Sequence, residues 1–305
     1  MPLPSLRVRP GWRARIVLLL AGLLAGPGGC ETLQSDSRPE PVARSTVAAE
    51  PPPTAPPPAL LPGKHATRRG YCVLYHDFEL DRNDPRLAPL ESLADQVYGE
   101  LRLPPANTVI QVFLFDTQDR YERYMFAPKA RYRHLPSRRA YFITEPRVGG
   151  GDELKVFTWM GAHLETDLRH ELTHALLHAV LTDVPLWLDE GLAGFFELPP
   201  EYDGVNPQHL EAIRTGPFQP DLARLEKFDQ VRQMEKPEYR EAWAWVHFML
   251  RGSPVARKVL QDYLQALRTN PNPGPLLPKL RAVIPDPERA LAEHLGQVEY
   301  PRPGR

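Results

Sequence analysis

The chain has 305 residues, long enough for one large domain or two small ones. Its 42% apolar and 25% charged residues are ordinary for a soluble globular protein. A formal net charge of −1 supplies no field to steer it toward nucleic acid, and two cysteines rule out a disulfide-built scaffold.

Residues 1–29 read as an export signal. Arg7, Arg9, Arg13 and Arg15 form a basic start with no acidic residue before Glu31, and the apolar run 16–25 (IVLLLAGLLA) follows. That run is about half of the roughly 20 residues that span a bilayer as a helix, which favours a cleaved signal over a retained anchor. It ends in GPGGC, and the small pair before Cys30 resembles a bacterial lipoprotein cleavage site, although Pro27 stands where an aliphatic residue is usual. Two outcomes stay open: a lipidated Cys30 that tethers the protein to a membrane, or an ordinary cut nearby that leaves a free thiol. Either way the expected location is outside the cytoplasm, in the cell envelope or secreted. Residues 30–69 carry nine prolines, including PPPTAPPP at 51–58, and few large apolar side chains. Such a stretch buries too little to offset its ordering entropy, so it is expected to be a disordered linker.

The folded part is expected over 70–298. Strand character at 70–78 precedes a helical pattern at 87–101, with Leu90, Leu93, Ala94, Val97 and Leu101 on one face. The run 108–115 (TVIQVFLF) is a strand by its β-branched and aromatic content. Thr117 with Asp119 opens a short helix toward Met125. Two further strands, 140–144 and 154–159, are joined through Gly149, Gly150 and Gly151 as a hairpin. Helices then dominate, at 167–181, 185–197, 238–251, 254–269 and 287–295. Strands first and helices after predict an α+β domain: a small N-terminal sheet with helices, packed on a mainly helical C-terminal subdomain. The cleft between the two is where a site is expected.

Residues 170–174 read HELTH. On a helix His170 and His174 project from one face, about 6 Å apart along the axis, so both imidazoles can converge on one zinc ion. Glu171 is turned by about 100° from His170 and reaches water at the metal rather than the metal. The flanking Leu168, Leu172, Ala175, Leu176, Ala179 and Val180 recur at helical spacing, as a buried active-site helix requires. Sixteen residues after His174 comes Glu190, within WLDEGLAGFFE. Pro185 suits the first turn of a new helix and Pro199-Pro200 ends it, so the two helices can pack antiparallel with Glu190 facing the histidines. Gly191 and Gly194 are expected where these helices approach closely.

HELTH followed by W-L-x-E-G-x-A resembles the gluzincin metallopeptidases, and most closely the peptidase-MA-like families of exported bacterial proteins, whose pattern also includes a later tyrosine-led helix. YREAWAWVHFML, from Tyr239, is similar to that helix, so the likeness covers 168–251. It implies His170, His174 and Glu190 as zinc ligands, Glu171 as base and proton shuttle, and Tyr239 at the oxyanion. The expected activity is zinc-dependent hydrolysis of peptide bonds in a peptide or protein substrate outside the cytoplasm, by an endopeptidase. Two departures matter. Thermolysin-like enzymes place an aspartate four residues after the third ligand, where this chain has Gly194, so Asp189 is proposed as the acceptor that orients a histidine. The GAHLE segment at 161–165 sits too close to the zinc helix to act as an amino-terminus-capturing motif, which leaves exopeptidase specificity unsupported.

His178 lies about 12 Å along the helix from His170 and cannot share its zinc. A role behind the ligands or simple packing is expected instead. Either 154–159 or 140–144 can offer a strand edge to an extended peptide. The basic stretch 129–139 (KARYRHLPSRR) is expected to be a solvated loop, and Trp243 and Trp245 to be packing residues. The rival function is a surface or peptide-binding protein that keeps a gluzincin fold without catalysis, although the presence of all four site residues argues against it. A third reading is hydrolysis of a non-peptide amide. Oligomeric state is not legible.

Overall fold

The computed structural model describes residues 59–300 except 82. The expected export signal, Cys30 and the proline runs through 58 lie outside the described residues. Strand β1 (His65–Arg69) turns through Gly70 into β2 (Cys72–His76), pairing antiparallel from His65↔His76 to Arg69↔Cys72. Only glycine fits this turn. Its φ is +52°, and a Cβ there would stand 2.8 Å from the Leu90 carbonyl oxygen. β1 falls inside the stretch expected to be linker. Its residues are mostly exposed, so no apolar alternation marks it, and its order comes from the backbone ladder to β2.

A 3₁₀ turn (Pro85–Leu87) leads into α1 (Pro89–Leu101), followed by β3 (Ile110–Phe115) and α2 (Gln118–Phe126). Thr117 caps α2 by accepting from the Arg120 N–H, as the sequence suggests. β4 (Tyr141–Pro146) and β5 (Asp152–Trp159) form the expected antiparallel hairpin, with Gly149, Gly150 and Gly151 all at positive φ. The sheet order is β1-β2-β3-β5-β4, with β2, β3 and β5 parallel and the two outer strands antiparallel. β5 is therefore internal, and of the two strands left open by the sequence only β4 has a free edge.

Both faces of the sheet are buried, which explains why 108–115 is continuously apolar rather than alternating. Val112, Leu114 and Val156 face the larger core with α1 and the helical half. Phe113, Phe115 and Phe157 face a second core with Tyr121 and Met125 of α2. Tyr132 and Leu135 complete that second core. The stretch 129–139 is mostly exposed loop, as its charge suggests, but Tyr132 and Leu135 anchor it over the sheet as a cover. Cys72 is buried, and burial pushes its thiol up to about 12, consistent with a small apolar filler.

The second half is helical: α3 (Leu164–His178), α4 (Leu186–Phe196), α5 (Pro207–Thr215), α6 (Leu222–Leu225) and α7 (Lys236–His247). α7 continues as a π-type turn (Phe248–Gly252) into α8 (Pro254–Leu267), α9 (Leu277–Arg281) and α10 (Pro287–Gln297). The fold is α+β, as expected, while α5, α6 and α9 are too short for their periodicity to be read. Trp243 and Trp245 of α7 are fully buried, and the Trp243 indole donates to the Gly204 carbonyl at 2.8 Å, in keeping with packing roles.

Gly191 sits where α4 crosses α7. A Cβ there would meet the Ala242 carbonyl oxygen at 2.5 Å and Val246 Cγ2 at 2.8 Å. The close approach is thus between α4 and α7, not between α3 and α4, and Gly194 meets only ordinary contact with Trp243 at 3.7 Å. Gly191→Ala is expected to lower stability by about 1–3 kcal/mol through overpacking. A thermal midpoint equal to wild type would show that α7 can yield.

Candidate metal centre

α3 lies between the sheet and α4, and its buried residues include Leu168, Leu172, Ala175, Leu176 and Leu177, with Glu171 and His174 among them. The i, i+4 spacing brings the His170 and His174 rings to 5.0 Å between centroids. Glu190, one turn into α4, points its carboxylate at both: Oε2 is 3.7 Å from His170 Nε2 and 3.7 Å from His174 Nε2. The three ligand atoms lie within 4.8 Å of one another, and the group can hold a metal ion.

The polar bookkeeping fits that role. His170 Nε2, His174 Nε2 and both Glu190 carboxylate oxygens are buried without a hydrogen-bond partner. Buried polar atoms left unpaired cost about 1–3 kcal/mol each, so four of them converging on one point call for a common partner. Burial opposes charging of the two imidazoles, yet Glu190, Glu197 and Asp189 outweigh it and push both above the ordinary histidine value. Such surroundings favour a bound cation.

Each histidine is held from behind by a carboxylate. Asp189 Oδ1 stands 2.9 Å from His174 Nδ1, off the ideal hydrogen-bond line, and its Oδ2 is 3.0 Å from His178 Nε2. Burial pushes the Asp189 carboxyl up, but the charges of His174 and His178 prevail and hold it well below the usual carboxylate range. Asp189 therefore stands behind His174, where an orienting carboxylate was expected, and His178 meets Asp189 rather than the metal group. His170 Nδ1 lies 3.0 Å from Glu197 Oε2, and Glu197 Oε1 accepts from Asn206 Nδ2 at 2.6 Å. Sequence reasoning missed Glu197. The signal was present: it lies seven residues after Glu190, two helical turns on, and so shares its face. Carboxylates behind ligating histidines typically contribute 10–100-fold to metal affinity. Glu197→Gln is accordingly expected to weaken metal binding by about 10- to 100-fold, measured by competition with a chromogenic chelator. An unchanged affinity would make Glu197 a packing residue only.

Glu171 is buried beside the ligands, and its Oε2 accepts the Phe142 N–H at 2.6 Å. That main-chain donor comes from the free edge of β4 and fixes the carboxylate between sheet and metal group. Burial pushes the Glu171 carboxyl up, and the charges of His170, His174 and Arg138 only partly oppose this. Tyr239, near the start of α7, is half-buried and lies within the fields of Glu190, Glu171 and Arg138. Burial, then Glu190, push its phenol up, so it stays a protonated donor. The structure thus brings together His170, His174, Glu190, Glu171 and Tyr239, and adds Glu197, Phe142 and Arg138. In comparisons with known proteins, no family model and no curated protein sequence matches this chain.

Proposed function

We propose that this protein is a zinc-dependent hydrolase of peptide bonds that works outside the cytoplasm. The observation that carries the reading is the convergence of His170, His174 and Glu190 on one point, with Glu171 anchored alongside. Two imidazoles and one carboxylate are the donor set of a catalytic zinc centre with an open fourth position. Two ligands about 2.0–2.1 Å from a tetrahedral zinc stand about 3.4 Å apart, close to the 3.7 Å separations of Glu190 Oε2 from the two histidines.

When bound, zinc polarises the carbonyl and brings the pKa of water toward about 7. The chain's own groups do the rest. Glu171 takes the proton from the attacking water and passes it to the leaving amine. The Tyr239 hydroxyl donates to the oxygen that gains charge. An extended peptide aligns on the free edge of β4, where Thr144 presents its main chain on the same side as Phe142.

Digestion of mixed peptide pools by the purified protein tests this reading. Cleavage is expected to stop with a zinc chelator and return with zinc. Zinc bound at one per chain without any cleavage would sink the hydrolase reading in favour of a peptide-binding protein. The address is tested separately by mass spectrometry of the mature N-terminus, which is expected to lack the residues before Cys30. A Met1 start in a cytoplasmic fraction would refute export, and an unmodified Cys30 would refute the lipid tether alone.

A further inference from the structure

We infer that Arg138 is a substrate-binding residue and that the substrate carries a carboxylate next to the bond that is cut. The inference rests on the reading of the site as a zinc peptidase. Arg138 is half-buried, and its Nε and Nη1 are buried without a hydrogen-bond partner. No carboxylate among the described residues forms an ion pair with it. Its neighbour behaves differently. Arg139 grips Asp167 of α3 with two donors, Nε to Oδ2 at 3.1 Å and Nη2 to Oδ1 at 2.7 Å. Arg224 and Arg251 likewise each pair with two carboxylates. Among the described residues, Arg138 is an arginine kept without an anion beside the metal group.

Its place follows from its surroundings. The guanidinium lies over the Tyr141 ring at 5.8 Å, one residue before the Phe142 N–H that holds Glu171. It is close enough to Tyr239 and Glu171 for its charge to act on both. Arg139, clamped to α3, fixes the backbone next to it. A second guanidinium on the same side, Arg240, also has a buried Nε without a partner. Its charge is felt by His209, which stands by Glu197.

A desolvated guanidinium with open N–H donors loses its water without regaining hydrogen bonds, which is costly unless a ligand supplies acceptors. The planar fork of arginine matches one group best, a carboxylate taken by two parallel N–H···O bonds. A neutral amide of the same shape offers a single acceptor and no charge. That carboxylate is either an Asp or Glu side chain or the C-terminus of the peptide.

The test uses the full-length, zinc-loaded protein and pools of N-acetylated, C-amidated pentapeptides, randomised except for one position fixed as Glu or as Gln. A matched arm leaves the C-terminus as a free carboxylate. Charge-assisted bonds of this kind predict a Glu-over-Gln or acid-over-amide preference of about 10- to 100-fold in kcat/KM, and the arm that shows it identifies the source. Arg138→Gln is expected to bring that ratio to about one. Arg138→Lys, which keeps the charge but not the fork, is expected to leave an intermediate ratio and serves as the second variant if the first does not fold. The same pools titrated calorimetrically into the zinc-loaded Glu171→Gln protein give a readout that needs no turnover. Preferential binding of the acidic pool, lost on adding Arg138→Gln, upholds Arg138 as the carboxylate-binding residue even if nothing is cleaved and the peptidase reading falls. Equal handling of acidic and neutral pools overturns the inference, as does a preference that Arg138→Gln leaves intact.

Discussion

Glu171→Gln is expected to abolish peptide hydrolysis while leaving one zinc per chain. Glutamine is nearly isosteric, and its side-chain oxygen can still accept the Phe142 N–H that now bonds Glu171 Oε2. The site should therefore keep its shape. What is lost is the proton acceptor. Removing a general base alone costs about 10²–10⁴-fold, and here the same group also delivers the proton to the leaving amine. Stability should not fall, because a carboxyl pushed up by burial is replaced by a neutral group. Metal analysis and turnover on the same preparation check the two halves. Retained turnover would remove Glu171 from the chemistry, and lost zinc would make it a ligand.

The second large effect belongs to Glu190. Both of its carboxylate oxygens are buried without a hydrogen-bond partner and face two imidazoles, the position a metal ligand would occupy. Glu190→Ala is expected to lower zinc affinity by more than the about 10–100-fold assigned to the carboxylates behind the histidines, and activity with it. A second readout is independent of turnover. Zinc that binds only the folded protein raises its stability by mass action, so the wild-type thermal midpoint should climb with added zinc and the variant's should stay flat. Without metal the variant should gain no stability, because Glu190 Oε2 then faces both imidazoles at 3.7 Å and its loss leaves that charge cluster unbalanced. If the variant binds zinc like wild type, the ligand set is wrong, and with it the role given to α4.

The parts of the site that were legible in the sequence are those written locally. His170, Glu171 and His174 share one helix, so their geometry follows from four-residue spacing, and Glu190 follows from a second short segment with its own start and stop signals. Tyr239 needed the resemblance as well as the residues. Phe142 had no chance of being read, because what it contributes is a main-chain N–H, and every non-proline residue has one. Arg138 was hidden for another reason. Its stretch is basic and mostly solvated, and Tyr132 and Leu135, which anchor it to the second core, have no recognisable period. The strand order β1-β2-β3-β5-β4 depends on which strands pair across long loops, and it decided which of two candidate edges is open. β1 was read as linker because its order comes from backbone pairing rather than side-chain pattern.

The cover over the outer face of the sheet has a consequence for recognition. Tyr132 and Leu135 root it in the aromatic core, the Tyr132 hydroxyl donates to Glu145 at 2.7 Å, and Arg139 ties its far end to α3. A segment held at both ends has lost its freedom already during folding. A ligand meeting Arg138 then finds the guanidinium in position, and little further ordering is charged against affinity. Association should accordingly proceed in one step at a rate set by encounter and orientation, with no slow rearrangement of this rim.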